Sequence, residues 1–354
     1  MSRGCHIVVT KRAYIPGNQL AEPGGKTTPP EDPLPASGAE MTRYAVISII
    51  CLLLAAGCSK RDDSHPQTLG PKNTALETVE APPGSDGKRV MIQNKGSDTL
   101  VNVAQAWAEA YAAKEPRAAI AVSGGGSGTG ISAMINGTVD IANASRKMKD
   151  KEIAAAEKNG IDPVEHVVGY DALAVFLHKD NPLKEATLEQ LAAIYGEGGK
   201  IDKWSQIGVK VPGCTSDEIV RVSRQNNSGT YAYFRKTVLG KGEYKLGSRD
   251  MHGSKDVVDL VEKTPCAIGY SGLAYATEQV ATLCVKKDPD TPCVSPSVET
   301  AVDRSYPIAR PLFMYSAGKP SGKIGAYLEW ILSDEGQCII LTKGYAPVRQ
   351  VECS

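Results

Sequence analysis

RVMIQNKGSDTLVNVAQAWAEAY, residues 89–111, holds a strand, a turn and a helix in one short run. Arg89–Asn94 reads as a strand. Leu100, Val103, Trp107 and Tyr111 recur at helical spacing, which predicts a helix over 100–113. Between them lies Gly96-Ser97-Asp98-Thr99, a short polar turn that delivers the chain into a helix N-terminus. Such an end exposes unpaired N–H groups and partial positive charge.

The same alternation continues along the chain. Ala119–Val122 reads as a strand, Gly124–Gly130 as a glycine-rich loop, and Ile131, Met134 and Ile135 as the start of a helix. Val139–Ala142 is a short strand, 148–158 a polar helix and Val167–Leu177 a longer apolar strand. Helices are expected at Glu189–Tyr195, Tyr231–Val238, Lys255–Lys263 and Lys323–Leu332, with strands at Ala267–Tyr270 and Pro311–Tyr315. Alternating strands and helices imply an α/β fold with mostly parallel sheets.

Composition narrows the function. The 354 residues carry 40 Lys+Arg and 40 Asp+Glu, a formal net charge of +0. That balance argues against a general nucleic-acid binder, which needs a basic face. It leaves room for a small anion site. Apolar content of 42% suits an ordinary core and is too low for a polytopic membrane protein.

The first 88 residues read as targeting and tether. Residues 1–40 are polar and Pro/Gly-rich and read as a non-native or disordered N-terminal extension. Met41 then opens a signal: Arg43 precedes the apolar run Tyr44–Gly57, which is too short for the roughly 20 residues of a membrane span. The run ends Leu54-Ala55-Ala56-Gly57-Cys58, which resembles the lipobox of bacterial lipoproteins, although Ala55 stands where a bulky residue is usual. The resemblance implies a signal peptide over 41–58, cleavage before Cys58 and acylation of that thiol. Residues 59–88 suit a flexible tether. The expected location is the periplasmic or extracellular face of a bacterial membrane, with the chain anchored in the bilayer through Cys58.

Six cysteines follow Cys58, and an exported chain meets an oxidising compartment, so three disulfides are expected. Short-range pairing gives Cys284–Cys293 and Cys338–Cys353 and leaves Cys214–Cys266. Metal binding has little support. There is no C-x-x-C or H-E-x-x-H, and His6, His65, His166, His178 and His252 are scattered. No cofactor is expected.

Three turns share one design. They are Gly96–Leu100, Gly124–Ile131 and Arg224–Tyr231, each with glycine or hydroxyl residues entering a helix. A single such turn is commonly a helix cap. Three together, with Arg224 and Arg146 nearby in sequence, favour an anion site. Enzyme motifs fail. Position 20, where a phosphate-binding loop ending in Gly25-Lys26-Thr27 needs glycine, is Leu20. Thr129 breaks both a dinucleotide fingerprint from Gly124 and a nucleophile elbow around Ser127. A binding protein rather than an enzyme is expected.

KGSDTL (95–100), SGGGSGTGI (123–131), NGTVDIANASR (136–146), NNSGT (226–230) and AIGY (267–270) occur in this order. The ordered set resembles the PstS-type phosphate-binding proteins of bacterial phosphate ABC importers, over roughly 91–350. That resemblance implies a two-lobed type II periplasmic-binding-protein fold with two crossover strands and helices flanking the sheets. The implied lobes are 89–168 plus 305–354, and 169–304. It further implies ligation of inorganic phosphate by the Thr99 hydroxyl, the Leu100 N–H and Ser127 from one lobe. Arg224, Ser228, the Gly229 N–H and Thr230 would come from the other. The implied protein is a monomer that hands its ligand to a membrane permease and binds no nucleic acid.

One departure bears on selectivity. Many members carry an Asp ligand where this chain has Ser145, followed by Arg146. Monohydrogen phosphate has a proton to donate and sulfate has none, so a carboxylate favours phosphate and repels sulfate. Asp98, Asp140 or a backbone carbonyl could replace that acceptor, and Arg146 could be a second clamp on the anion. A receptor for sulfate or another tetrahedral oxyanion, and a phosphate-sensing or structural protein without transport, are the alternatives.

Overall fold

The computed structural model describes residues 78–79 and 89–353. The expectations for the N-terminal extension, the signal, Cys58 and most of the tether lie outside the described residues. Within the stretch read as tether, Thr78–Val79 forms a short strand, β1, that pairs with Arg89 and Val90.

The first half is built from β2 (Arg89–Gly96), α1 (Val101–Lys114), β3 (Ala118–Ser123), α2 (Ser127–Ile135), β4 (Ile141–Ala144) and α3 (Asp150–Lys158). A long strand, β5 (Val164–His178), leads into β6 (Glu185–Thr187), α4 (Leu188–Tyr195), β7 (Val220–Arg224), α5 (Gly229–Thr237) and β8 (Arg249–Met251). Next come α6 (Ser254–Glu262), β9 (Ala267–Gly272), β10 (Val280–Thr282), β11 (Cys284–Lys286) and α7 (Val298–Val302). The chain returns along β12 (Ala309–Ser316) and ends in α8 (Gly322–Ile331) and α9 (Asp334–Thr342).

The main sheet runs β1-β2-β4-β12-β5-β9-β7-β8, with β3 on β2 and β10 on β5. Apart from the antiparallel β1/β2 pair, pairing is parallel within each half, where β2 joins β3 and β4, and β7 joins β8 and β9. It is antiparallel where β12 meets β4 and β5, and where β5 meets β9 and β10. The β5/β12 ladder runs from Ala309 opposite Ala172 to Ser316 opposite Val164, with an irregularity between Leu312 and Phe313. That irregularity follows Pro311, which has no N–H to give the ladder. β5 is buried continuously from Ala172 to Leu177, as expected for a strand covered on both faces.

Each half has its own core. Trp107 and Tyr111 of α1 pack with Tyr327 and Trp330 of α8, and the Trp107 indole donates to the Gly336 carbonyl at 2.7 Å. In the other half Tyr195, Phe234 and Tyr270 pack face and edge, around Trp204. The bonds Cys214–Cys266, Cys284–Cys293 and Cys338–Cys353 are the three pairings expected from the sequence.

Several element starts differ from expectation, with β5 beginning at Val164 rather than Val167, α5 at Gly229 rather than Tyr231 and β12 at Ala309 rather than Pro311. α2 begins at Ser127 rather than Ile131, and β4 is centred two residues later than Val139–Ala142. β1, β6, β7, β8, β10, β11, α7 and α9 were not foreseen. Among the described residues no helix is long and apolar enough to cross a membrane, and no cluster of potential metal ligands is found.

Candidate functional site

The three helix-entering turns, which follow β2, β3 and β7, converge with the end of β4. Thr99 follows β2, Ser127 opens α2, Ser145 follows β4, and Ser228 caps α5 after β7. All four side chains are buried, as are Arg224 and Thr230.

The Thr99 and Thr230 hydroxyls lie 3.0 Å apart, one from each half. Three serines form a second hydroxyl cluster. Ser97 Oγ donates to Ser145 Oγ at 2.9 Å, Ser127 Oγ stands 3.4 Å from Ser145 Oγ, and the Ser145 N–H donates to Ser127 Oγ at 3.0 Å. Gly229 brings α5 against this cluster. A Cβ on Gly229 would stand 2.3 Å from Ser127 Oγ and 2.5 Å from Ser145 Oγ. Ser228 Oγ accepts from the Thr230 and Tyr231 N–H groups, and the Leu100 N–H donates to the Ser97 carbonyl at 3.0 Å.

Arg224 bridges the halves. Its Nη2 donates to Asp98 Oδ2 at 2.8 Å and to the His252 carbonyl, and its Nη1 to Ser254 Oγ. Burial lowers the guanidinium's pKa and Asp98 pulls it back up. Asp98 Oδ1 also accepts from the Gly125 N–H at 2.8 Å. Tyr275 donates to the Asp98 carbonyl at 2.6 Å, and burial pushes that phenol up to about 12, so it stays a donor. The Tyr345 hydroxyl donates to the Thr99 carbonyl. Further links cross between the halves: the Gly128 N–H donates to the Asn227 carbonyl, and Asn227 Nδ2 to the Gly125 carbonyl, both at 2.9 Å.

Two residues were missed by motif reading. Arg310 of β12 and Asp171 of β5 form a fully buried ion pair, with Arg310 Nη2 and Nε donating to Asp171 Oδ2 at 2.7 and 2.9 Å. Burial raises the Asp171 carboxyl and Arg310 opposes the shift. The same guanidinium donates to Thr230 Oγ1 at 3.1 Å and to Thr99 Oγ1 at 3.2 Å. The available signal was a lone Asp within the apolar run Val167–Leu177 and a lone Arg beside the apolar run Pro311–Tyr315, because buried charges are kept only when paired.

Thr99, Ser127, Ser145, Arg224, Ser228, Gly229 and Thr230 are therefore brought together, with Leu100 at their edge. Arg146 is not joined to them. Its fork clasps Glu152, with Nη1 and Nη2 each 2.7 Å from a carboxylate oxygen. Of the two substitute acceptors, Asp98 lies in the cluster. Asp140, just before β4, is spent on the Gln93 N–H at 2.7 Å.

Buried hydroxyls, two guanidiniums and helix N-termini make a site for a small multivalent oxyanion. The family model described as the PBP superfamily domain matches residues 72–335. Phosphate-binding protein PstS of Pseudomonas aeruginosa is 35% identical over 269 residues, covering 73% of this chain and 83% of that one. Its counterpart in Bacillus subtilis is 28% identical over 306 residues, 85% of this chain and 92% of that one. Among solved structures, a phosphate ABC transporter substrate-binding protein with bound phosphate from Clostridium perfringens is 30% identical. It superposes with a TM-score of 0.64, covering 73% of this chain and all of the other. The α/β architecture is the two-lobed fold of periplasmic binding proteins. The chain belongs to the PBP superfamily and, within it, to the PstS-type family.

Proposed function

We propose that this chain captures inorganic phosphate between two lobes, outside the cytoplasm, and delivers it to the membrane permease of an ABC importer. The observation that carries the reading is the approach of Thr99 and Thr230 to 3.0 Å from opposite halves under one guanidinium, Arg310. A guanidinium only donates. The threonine oxygens therefore accept from Arg310, and at most one of the two O–H groups is used between them. The remaining proton is available to an anion oxygen. Ser127 Oγ likewise accepts from the Ser145 N–H, which frees its own proton to donate.

On this reading the lobes are 89–168 with 305–354, and 169–304, hinged on β5 and β12. Thr99, Ser127 and Ser145 face the ligand from one lobe, while the Leu100 N–H is held by the Ser97 carbonyl. Arg224, Ser228, the Gly229 N–H and Thr230 face it from the other, and Arg310, paired with Asp171, orients both threonine hydroxyls from the hinge. Asp98 takes the role of the missing carboxylate. Each of its oxygens keeps a lone pair beyond the bonds to Arg224 and Gly125, so it can accept the proton of monohydrogen phosphate. Sulfate would set a bare oxygen against it. Lobe closure removes the anion from water, which strengthens every one of these bonds. The reading is of binding without turnover by a monomer tethered through acylated Cys58.

The presence of Ser145 in place of the usual Asp favours, as second reading, a receptor for another tetrahedral oxyanion. Transport itself is tested in cells. A strain lacking the gene should lose high-affinity uptake of radiolabelled phosphate and recover it with the wild-type gene but not with Arg224→Ala. Unchanged uptake with a disturbed phosphate-starvation response would point to sensing instead.

A further inference from the structure

A groove of about 590 Å³ runs beside the site, between the segment that follows β4 and the outer face of α5. Its volume lies in the ~300–1,000 Å³ range of small-molecule sites and exceeds what one tetrahedral ion fills. Lys147 and Lys149 line one wall, and Lys236 and Lys241 the other. Tyr233, Pro311 and Phe313 form an apolar floor, and Asp150 is the one carboxylate in the lining. A second hollow of about 430 Å³ shares Lys149, Lys236 and Lys241 and adds Arg235, Asn226 and Tyr231.

The positive charge here is poorly balanced. Arg146 is neutralised by Glu152, Lys147 by Glu165 at 3.1 Å, and Arg235 by Glu243. Among the described residues no carboxylate stands within ion-pair distance of Lys149, Lys236 or Lys241. The Lys149 ammonium is held below its ordinary pKa by burial and then by Arg146, with Glu152 opposing and Lys151 and Arg235 adding to the depression. Lys241 is held at a φ of 72°, a conformation that favours glycine, and its N–H donates to the Arg235 carbonyl at 2.9 Å. Such a concentration of cations in a chain of zero formal net charge is a local feature that the composition does not demand.

We propose that this groove is a second anion site, separate from the hydroxyl cluster, that takes a linear oligophosphate spanning its two walls. Several phosphates in a row match ammonium groups placed on both sides of a groove. A single orthophosphate carries a charge of about −2 and would leave some of these lysines unpaired. The proposal does not depend on what the hydroxyl cluster binds.

The test uses the full chain in non-ionic detergent, saturated with inorganic phosphate and titrated calorimetrically with tripolyphosphate. The expected result is one-to-one binding that weakens as salt is raised. The triple variant Lys149→Ala, Lys236→Ala, Lys241→Ala should bind tripolyphosphate at least about tenfold more weakly, with its affinity for inorganic phosphate unchanged. The proposal is overturned if tripolyphosphate gives no heat, if it displaces inorganic phosphate, or if the triple variant binds it as well as the wild type. Should inorganic phosphate itself fail to bind, the receptor reading falls, and the groove is judged by the same titration without it.

Discussion

A hydroxyl is donor or acceptor according to its neighbours, and in this site the neighbours leave little choice. Arg310 and the Ser145 N–H can only donate, so the oxygens they touch must accept. Gly229 sets how closely α5 approaches those oxygens, because a Cβ there would stand 2.3 and 2.5 Å from two buried serine hydroxyls. Gly229→Ala should therefore keep its secondary structure by circular dichroism and lose about ten- to a hundredfold in phosphate affinity by calorimetry. Undiminished affinity would remove the serine cluster from the site. Most of these residues were legible in the sequence, since Thr99, Ser127, Arg224 and Ser228–Thr230 sit in glycine- and hydroxyl-rich turns. Arg310 and Asp171 were not, because they meet only when β5 and β12 pair; a lone charge in an apolar run is the local trace, and it does not name the partner.

Elements were read best where an apolar period was strong and worst where glycine broke it. The glycines of 124–130 suggested a loop throughout, yet α2 starts at Ser127. Gly130 is required there by close approach rather than by a turn: a Cβ would stand 2.3 Å from the Lys95 carbonyl oxygen, so α2 packs directly on β2. β7 was overlooked because it is a short strand alternating with polar residues, and α9 because its polar first turn looked like loop. The start of α3 is fastened by the Arg146–Glu152 clasp, whose side chains are 8% and 16% exposed. Burial alone would raise the Glu152 carboxyl. The hydrogen bonds from Arg146 and from the Lys149 N–H outweigh it and hold the group below its ordinary 4.5. A depressed folded-state value contributes stability above pH 4.5 that is lost as pH falls through that value. Glu152→Gln should thus be less stable than wild type by about 1–3 kcal/mol at neutral pH. Urea unfolding should show that gap closing in acid; a gap independent of pH would mean that the clasp contributes no charge-dependent stability.

At the scale of the whole molecule, two long antiparallel strands join halves whose other strands, the short β1 apart, pair with one another in parallel, and each half has its own aromatic core. Alternating strands and helices were enough to foresee an α/β fold. The long strands were foreseen as apolar runs, and their pairing came only from the resemblance, since ladder partners about 140 residues apart leave no local trace. The three disulfides each lie within one half and leave β5 and β12 as the continuous connection between the halves. Between those halves run Arg224–Asp98, Thr99–Thr230 and Asn227–Gly125, which is the arrangement expected of lobes closed on a small anion. The central claim is that this closed site selects phosphate, with Asp98 replacing the acceptor that Ser145 cannot supply. The most direct test is calorimetric titration of the full chain at neutral pH, after unfolding and refolding to strip carried ligand, with the fluorescence of Trp107, Trp204 and Trp330 as a second signal. Tight one-to-one binding of phosphate, undisturbed by excess sulfate and lost in Asp98→Asn, is the predicted result. Sulfate binding as tightly as phosphate, or phosphate binding unchanged in Asp98→Asn, would contradict the account.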